Sequence, residues 1–243
     1  PFLDHLIELR TRILRSFALV ALLFIPIYYY STPLFEWIAA PLIAVLPEGT
    51  KMVAIQVASP FIVPFKLSAY CALFIGIPFL LHQLWGFIAP GLYRHEKKFA
   101  YPLLFSSVVL FYCGVSFAYY LVFPLVFDFF FNIAPNVAEV MPDITYYLDF
   151  IMKMFLAFGL AFEIPVATFL LAWTGISTAD KMARKRPYVI IGCFIVGMLM
   201  TPPDVVSQLL LAIPSWLLFE FGVMMARFVE KKDAEEEADK PVL

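Results

Sequence analysis

Charge is what this chain is short of. Only 15% of its 243 residues are Asp, Glu, Lys or Arg, where a soluble domain usually carries about a quarter. Against that stand 63% hydrophobic and 18% aromatic residues and a mean hydropathy of +0.87. So little polar surface is not enough to clothe a water-soluble fold, and the composition points to a polytopic membrane protein. Cysteine is also scarce: Cys71, Cys113 and Cys193 lie far apart inside apolar runs, with no C-x-x-C spacing. That argues against a zinc or thiol-redox motif and leaves small buried hydrophobes. His5, His82 and His95 are not spaced as metal ligands, and there is no H-E-x-x-H, G-x-S-x-G, Walker A or glycine-rich phosphate loop. No catalysis, metal or cofactor is expected, and a net charge of −2 implies no nucleic-acid partner.

What the chain has instead is long uncharged stretches. They suggest spans at 16–35, 67–92, 99–127, 154–178, 187–203 and 205–226. About 20 helical residues, rising 1.5 Å each, cross a hydrocarbon core of roughly 30 Å. The first four stretches meet that length, and the fifth and sixth are short or interrupted by Glu220. None alternates, which argues against a β-barrel. Prolines recur within the spans at Pro26, Pro78, Pro124, Pro165 and Pro214, and each predicts a kink. The expected fold is an all-α membrane protein of six transmembrane helices, a kinked, concave bundle with short fifth and sixth helices. It forms one domain over 1–230, followed by a charged, disordered tail over 231–243. Fourteen of the 17 basic residues fall at the N-terminus, in the 2–3 and 4–5 loops and in the tail. The positive-inside rule therefore places both termini in the cytoplasm. The outside loop over 36–66 is long, apolar and proline-rich, and is expected to fold as an interfacial cap.

Three places carry unusual residues. Before span one, Leu3, Leu6, Ile7 and Arg10 share one helical stripe, while Asp4, Glu8 and Arg12 share another, which reads as an amphipathic helix on the membrane surface. Glu8 is either one half of a surface ion pair with Arg12 or a functional carboxylate. After span two, the run Trp85 to Lys98 holds a Pro90-Gly91 turn and a single acid, Glu96, among Arg94, Lys97 and Lys98. Glu96 either balances local charge or joins Glu8 in receiving guanidinium groups through bidentate hydrogen bonds. Glu163 sits inside span four. An ionised carboxylate there costs at least roughly 2.5–3.5 kcal/mol, so it is protonated or paired, and a functional role is the default.

Four motifs stand in register around these spans: H-L-x-E-L-R-x-R, W-x-F-I-A-P-G-L-Y-x-x-E-K-K, A-F-E-I-P-V, and R-K-R-P-Y followed by T-P-P-D. Together, over essentially the whole chain, they resemble the TatC family, the multispanning core of the twin-arginine (Sec-independent) protein translocase. The resemblance implies that the cytoplasmic face binds twin-arginine signal peptides of folded precursors. Glu8 and Glu96 would receive the arginines, with Arg10, Phe87 and Tyr93 shaping the site. Glu163 would meet a polar residue of single-span TatA or TatB subunits. Short fifth and sixth spans would thin the bilayer and offer a partner-docking edge at Met198, Leu199 and Thr201. The proton motive force would drive transport across the bacterial-type inner membrane, with self-association, since six spans are too few to enclose a pore for folded proteins. One departure is visible: an acid expected in many relatives near Gln56–Phe61 is missing. Two other classes explain part of the pattern. A proton-coupled solute transporter would use Glu163 and leave the cytoplasmic carboxylates without a role; it would also be expected to show repeated halves, and none is seen. A structural anchor would tolerate Glu163→Leu.

Overall fold

The computed structural model of the chain describes residues 2–46, 50–92, 100–133, 141–201 and 204–238. These residues are almost entirely helical: α1 (Phe2–Tyr29), α2 (Ser31–Ile43), α3 (Ser59–Leu92), α4 (Ala100–Phe117), α5 (Phe123–Ile133), α6 (Ile144–Ala161), α7 (Ile164–Trp173), α8 (Ala179–Arg184), α9 (Arg186–Met200) and α10 (Val205–Ala238). Among them, five stretches are long and apolar enough to cross a membrane: Leu6–Tyr29, Ser59–Phe87, Tyr101–Asn132, Ile144–Trp173 and Val205–Phe228. The shorter apolar α9 completes a six-span, all-helical membrane fold.

Two spans are built from two helices each, and proline accounts for both interruptions. Between α4 and α5 the chain widens into a π-helical turn, Ala118–Val122. Pro124 follows and has no N–H to give, so the turn before it is free to loosen. Between α6 and α7 the helix breaks at Phe162–Glu163, and Pro165 lies in the first turn of α7, where a missing donor is tolerated.

Several boundaries differ from the sequence expectation. The amphipathic N-terminal segment is no separate surface helix: α1 is continuous from Phe2 to Tyr29, because nothing between residues 2 and 25 is Gly or Pro. Span one ends at Tyr29, six residues early, and α2 starts at Ser31. The fifth span is short as expected, its 15 residues covering about 22 Å. The sixth is not. Arg186 Nε and Nη2 donate to Glu220 Oε1 and Oε2 at 2.6 Å each, so Glu220 is neutralised and the apolar run continues to Phe228. Any thinning of the bilayer therefore rests on α9. The helix then runs on to Ala238, into the segment expected to be disordered, because E-K-K-D-A-E-E-E-A is rich in good helix formers.

The packing falls into two compact units, residues 1–108 with 118–152, and residues 109–117 with 153–243. In the first, α1 lies along α3, and α2 packs on α3 and α5. Pro41 deprives the Trp37 carbonyl of its helical donor, and the Tyr119 hydroxyl supplies one at 2.7 Å while its ring stacks on Trp37 at 4.7 Å. The Tyr147 hydroxyl likewise donates to the Ile38 carbonyl at 2.8 Å. The loop after α2 is tied down by Asp143. Its Oδ1 accepts the N–H groups of Thr145 and Tyr146 at 2.8 and 3.0 Å, capping α6, and its Oδ2 accepts Ile55 N–H at 3.0 Å. In the second unit, Gly114 and Gly159 let α4 and α6 touch, Gly114 against the Phe158 carbonyl and Gly159 against the Phe111 ring. Gly222 lets α10 meet α7 at Thr168. The short α8 is pinned to α10 through Met182, Phe219, Val223 and Ala226.

Burial alone would raise the Asp143 carboxyl, but the N–H groups of Ile55, Tyr146 and Thr145, with the Thr145 hydroxyl, hold it below the usual carboxylate value. A depressed folded-state pKa means that the stabilisation is complete above the unfolded value, about 3.9, and is lost as pH falls through the lower folded one. Asp143→Ala is therefore expected to lower stability by about 1–2 kcal/mol at neutral pH. Denaturant midpoints of the two proteins should begin to converge only as pH falls below about 4, and a gap undiminished in stronger acid would show that the carboxylate charge is not what stabilises the cap.

Candidate functional site

The first candidate constellation forms where α1 meets α3. Glu8 and Arg12 are one turn apart on α1, and Arg12 Nη2 and Nε donate to Glu8 Oε1 at 2.6 and 2.9 Å. The same guanidinium reaches α3. Its Nη2 donates to the Gly86 carbonyl at 2.9 Å, and its Nη1 donates to Gln83 Oε1 at 3.2 Å and to the Gln83 carbonyl at 3.3 Å. The Gly86 carbonyl is available for a local reason: its helical donor would be residue 90, and residue 90 is proline. Gly86 is also what lets Arg12 approach, since a Cβ there would stand 2.5 Å from Arg12 Nη1. Gln83 is only 8% exposed, and a buried amide of this kind needs polar partners.

Of the residues expected at this rim, Glu8 is thus engaged by Arg12, Phe87 is half-buried and Arg10 is exposed. Tyr93 and Glu96 lie outside the described residues. Arg12 beyond its Glu8 pairing, Gln83 and Gly86 were not singled out from the sequence. Two signals for them were there: a lone amide late in span two, and a glycine four residues before a proline, which leaves one carbonyl without a donor.

The second candidate is Glu163, half-buried at the α6–α7 break. Its N–H donates to the Leu160 carbonyl at 3.1 Å, and its own carbonyl accepts Ala167 N–H at 2.9 Å. The backbone therefore turns tightly here, and the carboxylate sits in the one interruption of its span. The expected docking edge divides. Met198 and Leu199 are exposed, at 60% and 69%, whereas Thr201 is 7% exposed and its hydroxyl donates to the Gly197 carbonyl at 2.8 Å. Thr201 ends α9. Among the described residues, no group of His, Cys, Asp or Glu is arranged to hold a metal ion.

Comparison with known proteins agrees with this architecture. The family model "Sec-independent protein translocase protein (TatC)" matches residues 4–214. The Sec-independent protein translocase protein TatC of Haemophilus influenzae is 54% identical over 235 residues, spanning 97% of this chain and 92% of that protein. Its counterpart in Escherichia coli K12 is 49% identical over 237 residues, spanning 98% and 92%. A crystal structure of a twin-arginine translocase receptor, TatC, superposes with a TM-score of 0.84 at 34% identity, covering 92% of this chain and 98% of that one.

The Arg12 contacts yield a direct test. Gly86→Ala pushes the guanidinium off the Gly86 carbonyl and costs about 1–3 kcal/mol, the range for a hydrogen bond to a charged group left unmade. The shift should appear in the unfolding midpoint followed by tryptophan fluorescence. An unchanged midpoint would mean that Arg12 finds an equal partner elsewhere.

Proposed function

Since the chain belongs to the TatC family and is a multi-pass membrane component of the Sec-independent, twin-arginine translocase, we propose that its cytoplasmic face receives the twin-arginine signal peptides of folded precursors and scaffolds assembly of the translocation complex. The observation that carries this reading is that the Glu8 carboxylate already accepts a guanidinium. The Arg12 contacts, completed by the Gly86 carbonyl and the Gln83 amide, support this reading, since an arginine needs planar, multi-acceptor surroundings of this kind. An incoming arginine pair enters that set of acceptors, with Glu96 as the second carboxylate and Arg10, Phe87 and Tyr93 around it.

Assembly uses the other two places. Glu163 lies at the helix break of an otherwise apolar span, a place where a polar group from a single-span subunit of TatA or TatB type docks. Met198 and Leu199 present apolar side chains outward from the shortest of the six spans. Copies of the chain associate to build the passage, and the proton motive force drives it. The alternative of a solute transporter gains nothing from the geometry, which devotes the α1–α3 junction to guanidinium contacts.

Cross-linking of the purified protein to a twin-arginine peptide is expected to fall by tenfold or more in Glu8→Ala and in Glu96→Ala, in line with the loss of a charge-assisted pair. Undiminished cross-linking in both variants would overturn the assignment. Glu163→Leu should leave that cross-linking intact while precursor transport into membrane vesicles collapses. Transport at the level of the unaltered protein would make Glu163 a structural residue.

A further inference from the structure

The second unit contains a cavity of about 510 Å³ that the reading above does not use. Val189, Gly192, Cys193, Val196 and Met200 of α9 form one wall, and Ala161 of α6 and Leu211 of α10 face them. The α9 residues recur at three- and four-residue steps and so make one straight stripe. From Val189 to Met200 that stripe is about 16 Å long, roughly half of a 30 Å hydrocarbon core and hence the depth of one leaflet. It is open at Gly192, where an added Cβ would meet nothing within 4 Å. Met198 lies on the side of α9 opposite Val189, and Leu199 borders the stripe on its Gly192 side without lining the cavity.

One end of the stripe is strongly basic. Val189 N–H donates to the Lys185 carbonyl at 3.1 Å, so the groove begins one turn from the run Lys181, Arg184, Lys185, Arg186. The acids described nearby are already engaged. Glu220 holds Arg186, Asp180 faces Arg227 at 3.7 Å, and Glu230 Oε1 accepts Ala179 N–H at 2.7 Å. Lys181, Arg184 and Lys185 are exposed beside them, as is Tyr188 at 76%, a residue suited to the headgroup level.

We propose that this end of the second unit is a binding site for an anionic phospholipid, with the headgroup held by Lys181, Arg184 and Lys185 and one acyl chain lying in the α9 groove. Two features favour a lipid over a partner's helix. The cavity has the volume of about one turn of a helix 10–12 Å across, too little to seat a spanning one, and its length matches a single leaflet. The cations at its mouth select negative charge, as basic clusters at a membrane surface do.

The purified full chain, released from nanodiscs of equal phosphatidylglycerol and phosphatidylcholine with the same acyl chains, tests this by native mass spectrometry. The unaltered protein is expected to retain phosphatidylglycerol over phosphatidylcholine by at least about tenfold. Each cation neutralised reduces that preference roughly fivefold. Lys185→Gln alone therefore shows the effect, and Lys181→Gln/Arg184→Gln/Lys185→Gln abolishes it. Gly192→Trp, which fills the groove and leaves the cations in place, should lower retention of both lipids. Melting curves identify any variant that fails to fold, and the remaining single variants then carry the comparison. Equal retention of the two lipids by the unaltered protein, or a triple variant that keeps the preference, overturns the site. Displacement of the lipid by free glycerol phosphate overturns the groove as part of it. So does maleimide labelling of Cys193 that lipid leaves unchanged and a single-span membrane peptide blocks, since a helix would then be the occupant.

Discussion

In a bilayer every backbone carbonyl must find a donor inside the protein, because an unmet one costs several kcal/mol with no water to relieve it. That constraint is acute here: 19 of the residues are proline, and each proline within a helix strips the carbonyl four positions back of its donor. Much of the described architecture answers it. The Trp37 carbonyl, orphaned by Pro41, receives the Tyr119 hydroxyl. The Gly86 carbonyl, orphaned by Pro90, receives the Arg12 guanidinium. In each case a side chain from another helix of the same unit closes the gap, so a local defect in one helix becomes a specific tie to its neighbour. A kink and a helix contact are then the same event.

Charge follows a similar economy. Arg186 and Glu220 are 34 positions apart and meet as a two-pronged pair between α9 and α10. The desolvation cost of either alone would be large, and pairing lets α10 stay helical through an acid that, read in isolation, would end the span. Lys66 reaches Asp149 at 2.9 Å in the first unit, linking α3 to α6. These are ties between helices that carry few other polar groups, and their value lies in orientation as much as in energy.

How much of this was legible in the sequence depends on whether the cause was local. Composition and uncharged run length are local sums, and they led correctly to an all-helical, six-span membrane fold with a short fifth helix. The prolines marked the break beside Glu163 and the loosened turn ahead of Pro124, because both follow from a missing N–H. What stayed hidden depends on partners distant in sequence. Glu220 looked like a terminator until Arg186 was seen against it, and Gln83 looked like an ordinary amide until Arg12 reached it across 71 positions. Asp143 is one of two acids between α5 and α6, yet its position just before Ile-Thr-Tyr is the spacing that caps a helix. That signal was present and went unused.

The α1–α3 junction shows how such a place holds a guanidinium, here that of Arg12. A guanidinium site must present several acceptors in fixed positions without being so well satisfied that nothing can join it. A carbonyl freed by proline is an acceptor whose direction is set by the helix and whose second lone pair stays available. Glycine at the same residue keeps the approach open, since any Cβ would crowd the guanidinium. Glu8 adds the charge that makes the bonds short. The combination of Gly86, Pro90 and a carboxylate one turn from its arginine therefore gives a membrane helix an arginine-receiving edge that needs no loop to build it. The same features that keep α3 tolerable in lipid hold Arg12 against it.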